Sequence, residues 1–197
     1  VTAFVRDLQK LMQAHGEPLP RFGADGSWGD ESKAALDRLL NPISSPVIPD
    51  SYWPMLAKIE SGNRPYVKAP TSSASGLYQF IKSTWETEGG RWGPNMALPF
   101  GGLMPSEAEQ TARAKTFTAK NADYLAKLGI PINRATLYAA HFLGVAGAAR
   151  ILRASLTSPL RDVTAANQRK ANPSILGGDQ TVADFRDWLK AKTGDAP

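Results

Sequence analysis

The sequence contains no cysteine. That removes thiol nucleophiles, cysteine-ligated zinc and a disulfide framework, so the fold must hold in either redox compartment. Histidine is nearly as scarce. His15 and His141 are the only two, which speaks against a multi-histidine metal site, and neither a metal nor an organic cofactor is expected. No apolar run approaches the ~18 residues of a membrane span, so membrane insertion is not expected. The opening VTAFVRDLQK lacks a basic stretch followed by an apolar one, and no secretory signal is expected there. Lysine and arginine form neither a run nor a helical stripe, which argues against a nucleic-acid reader. Strand-like alternation is rare, short pieces within 63–80 and 90–103 excepted.

What is present is a chain of 197 residues, 42% of them hydrophobic, with a formal charge of +5. The charge is uneven. Residues 1–45 are net −1 and the remainder is net +6, a surplus that favours an anionic partner such as a nucleic acid, a membrane surface or a cell-wall polymer. In 4–14, Phe4, Val5, Leu8, Leu11 and Met12 share a helical face; in ESKAALDRLL, Ala35, Leu36, Leu39 and Leu40 do. NPISSPVIPD then interrupts helix with three prolines. The boundary falls there: a module at 1–45 and a larger domain at 46–197. In the second part, Asp50 is placed to cap a helix ending at Gly62. Ser106 with Glu109, and Thr181 with Asp184, open two further helices. The expected class is mainly α.

The segment KIESGNRPYVKAPTSSASGLYQF, at 58–80, holds a single acid, Glu60. Near a helix C-terminus the dipole disfavours a carboxylate. Trp53, Tyr78 and Phe80, if folded over it, would add desolvation. Both effects hold the proton on the acid at neutral pH, as a general acid for glycoside cleavage requires. An exposed helix-end glutamate is the plainer explanation. Against it stand Gly76, which permits close backbone approach, and Gln79, whose amide both donates and accepts, as an N-acetyl group demands. No second carboxylate lies close in sequence.

IESG and GLYQF resemble the first two motifs of the soluble lytic transglycosylases, a lysozyme-like superfamily. TSSASGLYQFIKSTW, LYAAHFLGVAGAARIL and ANPSIL are similar to its bacteriophage branch of endolysins and virion-borne wall-degrading proteins. The likeness covers roughly 47–190. It implies a goose-type lysozyme-like fold, with Glu60 as the catalytic acid and Ser61 as the residue that orients it. Gly76 and Gln79 match the substrate-cleft motif, with Ser73 and Tyr78 in the same segment; Tyr78 stands where the family often has methionine. The third motif, commonly A-Y-N-x-G, reads AHFLG here, so His141 stands at the tyrosine and Phe142 at the asparagine. Tyr138, one turn earlier, and His141 are both candidates to assist Glu60, each with a place in the core as its ordinary alternative.

The first 45 residues have a resemblance of their own. LQ at 8–9, Met12, the element Asp25-Gly26-Ser27-Trp28-Gly29, Ser32, Ala35 and Leu36 are similar to the three-helix peptidoglycan-binding domain. An ordinary turn at Asp25 and Gly26, with Trp28 in the core, would account for the same residues. Together the resemblances imply a monomer that cleaves bacterial peptidoglycan strands and leaves 1,6-anhydromuramyl ends. Its place would be the wall of a host bacterium, in the periplasm, carried by a virion or released at lysis. The nearest rival is a hydrolytic muramidase of the same fold using Glu86, Glu88 or Glu107 as a second carboxylate. The other is a non-catalytic wall-binding or tail protein.

Overall fold

The computed structural model describes residues 2–15, 19, 23–40 and 46–197. The chain divides into two compact units, Val1–Ser45 and Pro46–Pro197, at the proline-rich stretch. It is mainly helical. Among the described residues, β structure is limited to isolated bridges, Lys68–Ser75, Ser75–Phe80 and Pro159–Thr181. The first two fall in the expected segment 63–80. In 90–103 the chain instead makes a 3-10 turn, Pro99–Gly102.

The first unit contains α1 (Thr2–Ala14) and α2 (Asp30–Leu40). Of the three helices expected, these two lie among the described residues. The buried stripe of α1 is narrower than its apolar pattern suggests. Val5 and Met12 are buried, whereas Phe4 and Leu11 face solvent. Met12 packs with Leu19 and Ala35, flanked by Leu8 and Leu36; the side chains of Leu39 and Leu40 lie outside the described residues. A buried glutamine organises the turn. Gln9 donates to Asp25 Oδ1, the Ser27 carbonyl and Ser32 Oγ at 3.0, 2.9 and 2.8 Å, and accepts from the Gly26 N–H at 2.8 Å. Asp25 also accepts from the Ser27 N–H, which with Gln9 holds its carboxyl below the usual carboxylate range. Trp28 is 38% exposed, so the alternative that places it in the core does not hold, and Gln9 fixes the turn without it.

The second unit contains α3 (Tyr52–Ser61), α4 (Lys82–Thr87), α5 (Glu107–Lys127), α6 (Arg134–Leu143), α7 (Val145–Leu152), α8 (Leu160–Val163), α9 (Ala166–Ala171), α10 (Pro173–Leu176) and α11 (Val182–Thr193). None is long and apolar enough to cross a membrane among the described residues. Ser51, without a side-chain bond, precedes α3, and the Tyr52 N–H returns to the Pro49 carbonyl. Asp50 is therefore not the cap. At the other end Gly62, at φ 61°, and Asn63, at φ 62°, return their N–H groups to the Lys58 and Ala57 carbonyls. Ser106 caps α5 by accepting from the Glu109 N–H. The Glu109 carboxylate turns away to Arg113 at 2.6 Å, and Arg113 also donates to the Glu88 carbonyl and lies over the Trp85 ring. Thr181 and Asp184 form a reciprocal capping box on α11.

α5, α6, α7 and α11 enclose one core. Tyr52, Trp85, Phe100, Leu125, Leu137 and Phe185 are each at most 1% exposed, and each such side chain contributes about 1.5–3 kcal/mol by leaving water. α6 and α11 run antiparallel. Arg134 at the start of α6 holds Asp195, beyond the end of α11, through bonds of 2.6 and 3.0 Å, while Tyr138 and Phe142 pack on Trp188.

The loop from α3 to α4 is held by a second buried glutamine. Gln110 accepts from the Leu77 N–H at 2.8 Å and donates to the Pro65 and Pro105 carbonyls at 3.0 Å each. Gly76 lies against this clamp at φ 81°, where an added Cβ would overlap the Gln110 amide oxygen and the Phe100 ring. Gly76→Ala is therefore expected to lower the unfolding free energy by at least about 2 kcal/mol. Urea titration of the two proteins measures it, and equal midpoints would remove the glycine from this role.

Candidate active site

Glu60 occupies the penultimate position of α3. Its side chain is 17% exposed, and Oε1 lies 3.9 Å from His141 Nε2. Tyr138, on the same face of α6 as His141, brings its hydroxyl near enough to the Glu60 carboxyl to favour the ionised form. The rings of Tyr138 and His141 are nearly parallel, at 13° with centroids 6.5 Å apart. Two residues of α6, far from Glu60 in sequence, thus come to bear on it.

Burial raises the Glu60 carboxyl to about 7 from its usual 4.5, against the nearby Tyr138 hydroxyl and the charge of Lys192, which both favour the ion. Burial likewise depresses His141 to about 4, and the nearby Tyr78 carbonyl offsets this only in part. At neutral pH the pair is therefore an acid half in its proton-bearing form beside an uncharged imidazole, and not an ion pair. The imidazole is caged by Phe80, Phe117 and Tyr138 at centroid distances of 5.9, 6.1 and 6.5 Å, and its buried Nδ1 has no hydrogen-bond partner among the described residues. The Tyr138 and Tyr52 hydroxyls are both pushed above the usual phenol range, first by burial and then by the charge of Glu60 in Tyr138. Tyr138 remains a donor at every working pH.

The other expected site residues support the loop rather than face the acid. Ser61 is buried. Its hydroxyl donates to the Ala57 carbonyl at 3.0 Å and accepts from the Arg64 N–H, so it closes the helix end and does not orient the Glu60 carboxyl directly. Ser73 accepts from the Lys82 N–H at the start of α4. Gly76 faces Phe100 and Gln110 rather than an open cleft. Tyr78 is buried with its hydroxyl on Thr111 at 3.1 Å. Gln79, at φ 48°, spends its amide N–H groups on the Val67 and Gly76 carbonyls; only its amide oxygen is left to accept from a ligand. Trp53 lies two turns before Glu60 and carries Lys115 over its ring at 5.8 Å.

The structure adds residues that sequence reasoning missed. Trp188 packs on Tyr138 at 5.8 Å and on Phe142 at 5.1 Å, and Lys192 follows one turn later. Nothing local marks either one, because each meets the site only through the pairing of α11 with α6. The rival carboxylates are engaged elsewhere or exposed. The Glu88 carboxylate is 4% exposed and bound to Lys120 at 2.9 Å, and Glu86 pairs loosely with Lys82. Glu107 stands exposed in the first turn of α5. Among the described residues no cluster of three or more histidine, aspartate and glutamate side chains is placed to hold a metal ion. A pocket of about 310 Å³ lies in the first unit, lined by Gln9, Asp25 and Asp30 among others, and another of about 300 Å³ lies at Arg91 and Met104; Glu60 lines neither. No family model matches the chain.

Between 4.5 and about 7 the folded chain keeps on Glu60 a proton that the unfolded chain has released. Stability contributed by this group therefore falls as pH rises through that window, by about 2–3 kcal/mol in all. Glu60→Gln is expected to melt above the wild type at about pH 8 and to lose that advantage as the pH approaches 4.5. Circular-dichroism melts across this range test it; a gap independent of pH would mean that Glu60 is not a strained acid.

Proposed function

We propose that the chain is a lysozyme-like lytic transglycosylase that cleaves the β-1,4 bond between N-acetylmuramic acid and N-acetylglucosamine of bacterial peptidoglycan. The observation that carries this reading is a half-protonated, largely buried Glu60 facing Tyr138 and a neutral His141. No second carboxylate is among the groups that act on it. Glu60 gives its proton to the bridging oxygen as the bond breaks, and the 2-acetamido group of the sugar steadies the oxocarbenium-like centre. Glu60, now ionised, takes the proton of the muramyl O6 hydroxyl while O6 bonds to the anomeric carbon. The acid is restored and a 1,6-anhydro ring closes, with no water consumed. Attack from within the sugar avoids the entropy of bringing in a second molecule. Tyr138 steadies the Glu60 carboxylate midway through. His141, uncharged, does not compete for the proton.

The first unit is proposed to tether the enzyme to insoluble wall and so to raise its local concentration. Such an enzyme would work as a monomer on the wall of a host bacterium, in the periplasm, brought by a virion or released at lysis. A non-catalytic wall-binding role gives no reason to retain a buried carboxyl whose ionisation opposes folding. A hydrolytic route would need a second acid, and Glu88 is committed to Lys120.

Glu60→Gln is expected to fold and bind wall but to lyse it at least about a hundredfold more slowly, the usual scale for losing a general acid. Wild-type activity should decline as pH rises through about 7, where Glu60 gives up its proton before reaction. Mass spectrometry of digested peptidoglycan should return anhydro ends. Reducing ends, heavier by a water, would establish hydrolysis instead, and lysis by Glu60→Gln at the wild-type rate would remove Glu60 from the chemistry.

A further inference from the structure

α11 places one cation beside the acid without giving it a partner. Lys192 is exposed. It lies one turn beyond Trp188, whose ring packs 5.8 Å from that of Tyr138, and Tyr138 in turn faces Glu60. The i and i+4 positions of a helix share a face, so Lys192 projects from the same side of α11 as Trp188. Its charge reaches Glu60, where it favours the ionised carboxyl. The nearest acid in sequence, Asp195, is taken by Arg134 through bonds of 2.6 and 3.0 Å, and Lys192 forms no ion pair among the described residues. Lys120, Arg113 and Arg161 are engaged by Glu88, Glu109 and Asp179; of the cations that are not, Lys192 is the one whose charge acts on Glu60.

Resting on the glycan-cleaving reading of Glu60, we propose that Lys192 is a specificity residue that pairs with a carboxylate carried by the substrate next to the bond that breaks. Trp188, beside Phe142 at 5.1 Å, supplies the apolar surface along which the sugar lies. The substrate class follows from the chemistry. A neutral glycan such as a chitin oligomer offers Lys192 nothing. A strand whose sugars bear acidic substituents, as lactyl-peptide stems are, offers a counter-charge at the position where the protein provides none. An ammonium on a flexible four-carbon stem is a point charge that follows a mobile carboxylate, without the fixed fork that an arginine would impose.

The test compares peptidoglycan strands having free carboxylates with the same strands after carbodiimide amidation, cleaved by wild type, Lys192→Met and Lys192→Arg. Assays are run about one unit below the pKa of Glu60, so that its proton is retained in all three. For the native strands, Lys192→Met is expected to raise KM about fivefold, the scale of a partly exposed ion pair, with kcat not reduced. For the amidated strands its KM should match the wild type, and Lys192→Arg should restore most of the discrimination. Added salt should erode the wild-type preference and leave Lys192→Met indifferent. If Lys192→Met alters KM equally for both strands, or for neither, the proposed role is overturned while the cleavage reading stands. If the wild type cleaves neither strand, the reading of Glu60 fails and this inference falls with it.

Discussion

Ionisation of Glu60 is opposed twice. Its side chain is largely removed from solvent, and the carbonyls at the end of α3 present the negative pole of the helix. Left to these effects alone the carboxyl would hold its proton to higher pH than it does. The Tyr138 hydroxyl and the Lys192 ammonium pull the other way, and the balance settles at about 7. A group poised there gives a proton readily and takes one back readily, which is the property the proposed cycle needs twice. The rest of the second unit bears on keeping this balance. The left-handed pair Gly62 and Asn63 stops α3 immediately after Glu60. The Arg134–Asp195 pair fixes the register of α6 against α11, and with it the positions of Tyr138 and Lys192.

The segment after Glu60 supports the acid through its own internal bonding. Ser61, Ser73, Gly76 and the amide nitrogen of Gln79 all have protein partners, and Gln110 ties the loop to the start of α5. Such a buried polar network is stable only if every member is satisfied, and one uncharged amide meets three backbone groups here without the desolvation cost of an ion. Gln9 does the same in the first unit, meeting Asp25, Gly26, Ser27 and Ser32. Each unit thus fixes its irregular segment with a buried glutamine on a helix.

Local signals in the sequence carried the helices well. Ser106 and Thr181 cap as their spacing implies, and Gly62 and Gly144 end helices. Where a local rule had competitors it failed. Asp50 yields to a backbone bond between Tyr52 and Pro49. Glu109 prefers Arg113, one turn along its own helix, to the cap. α8, α9 and α10 are too short to show a helical period. In the candidate site, Glu60 stood out as a lone acid in a neutral, glycine-rich segment and through the resemblance of IESG and GLYQF to family motifs, and Tyr138 with His141 through the altered third motif and their shared helix face. The inward roles of Gly76 and Tyr78 were not legible, since they depend on Phe100, Gln110 and Thr111 arriving from other elements. Trp188 and Lys192 depend on a pairing of helices that no local pattern encodes.

Burial acts with opposite sign on the two central groups, and this couples the site to the fold. The unfolded chain would charge His141 below its usual 6.5, whereas the folded chain resists to about 4. Stability from this residue is therefore complete above 6.5 and lost as pH falls toward 4. Glu60 behaves in reverse: its contribution is complete below 4.5 and lost as pH rises toward 7. Between 4.5 and 6.5 the two slopes nearly cancel, which leaves a plateau on which the acid and the imidazole are both uncharged. Below it an imidazolium would have to sit among Phe80, Phe117 and Tyr138. Above it a carboxylate would stand beside a ring too desolvated to take up a proton and neutralise it. The protonation state that the folded site tolerates best is thus the one from which Glu60 can donate, so the aromatic cage that disfavours charge on His141 also helps to keep Glu60 ready to react.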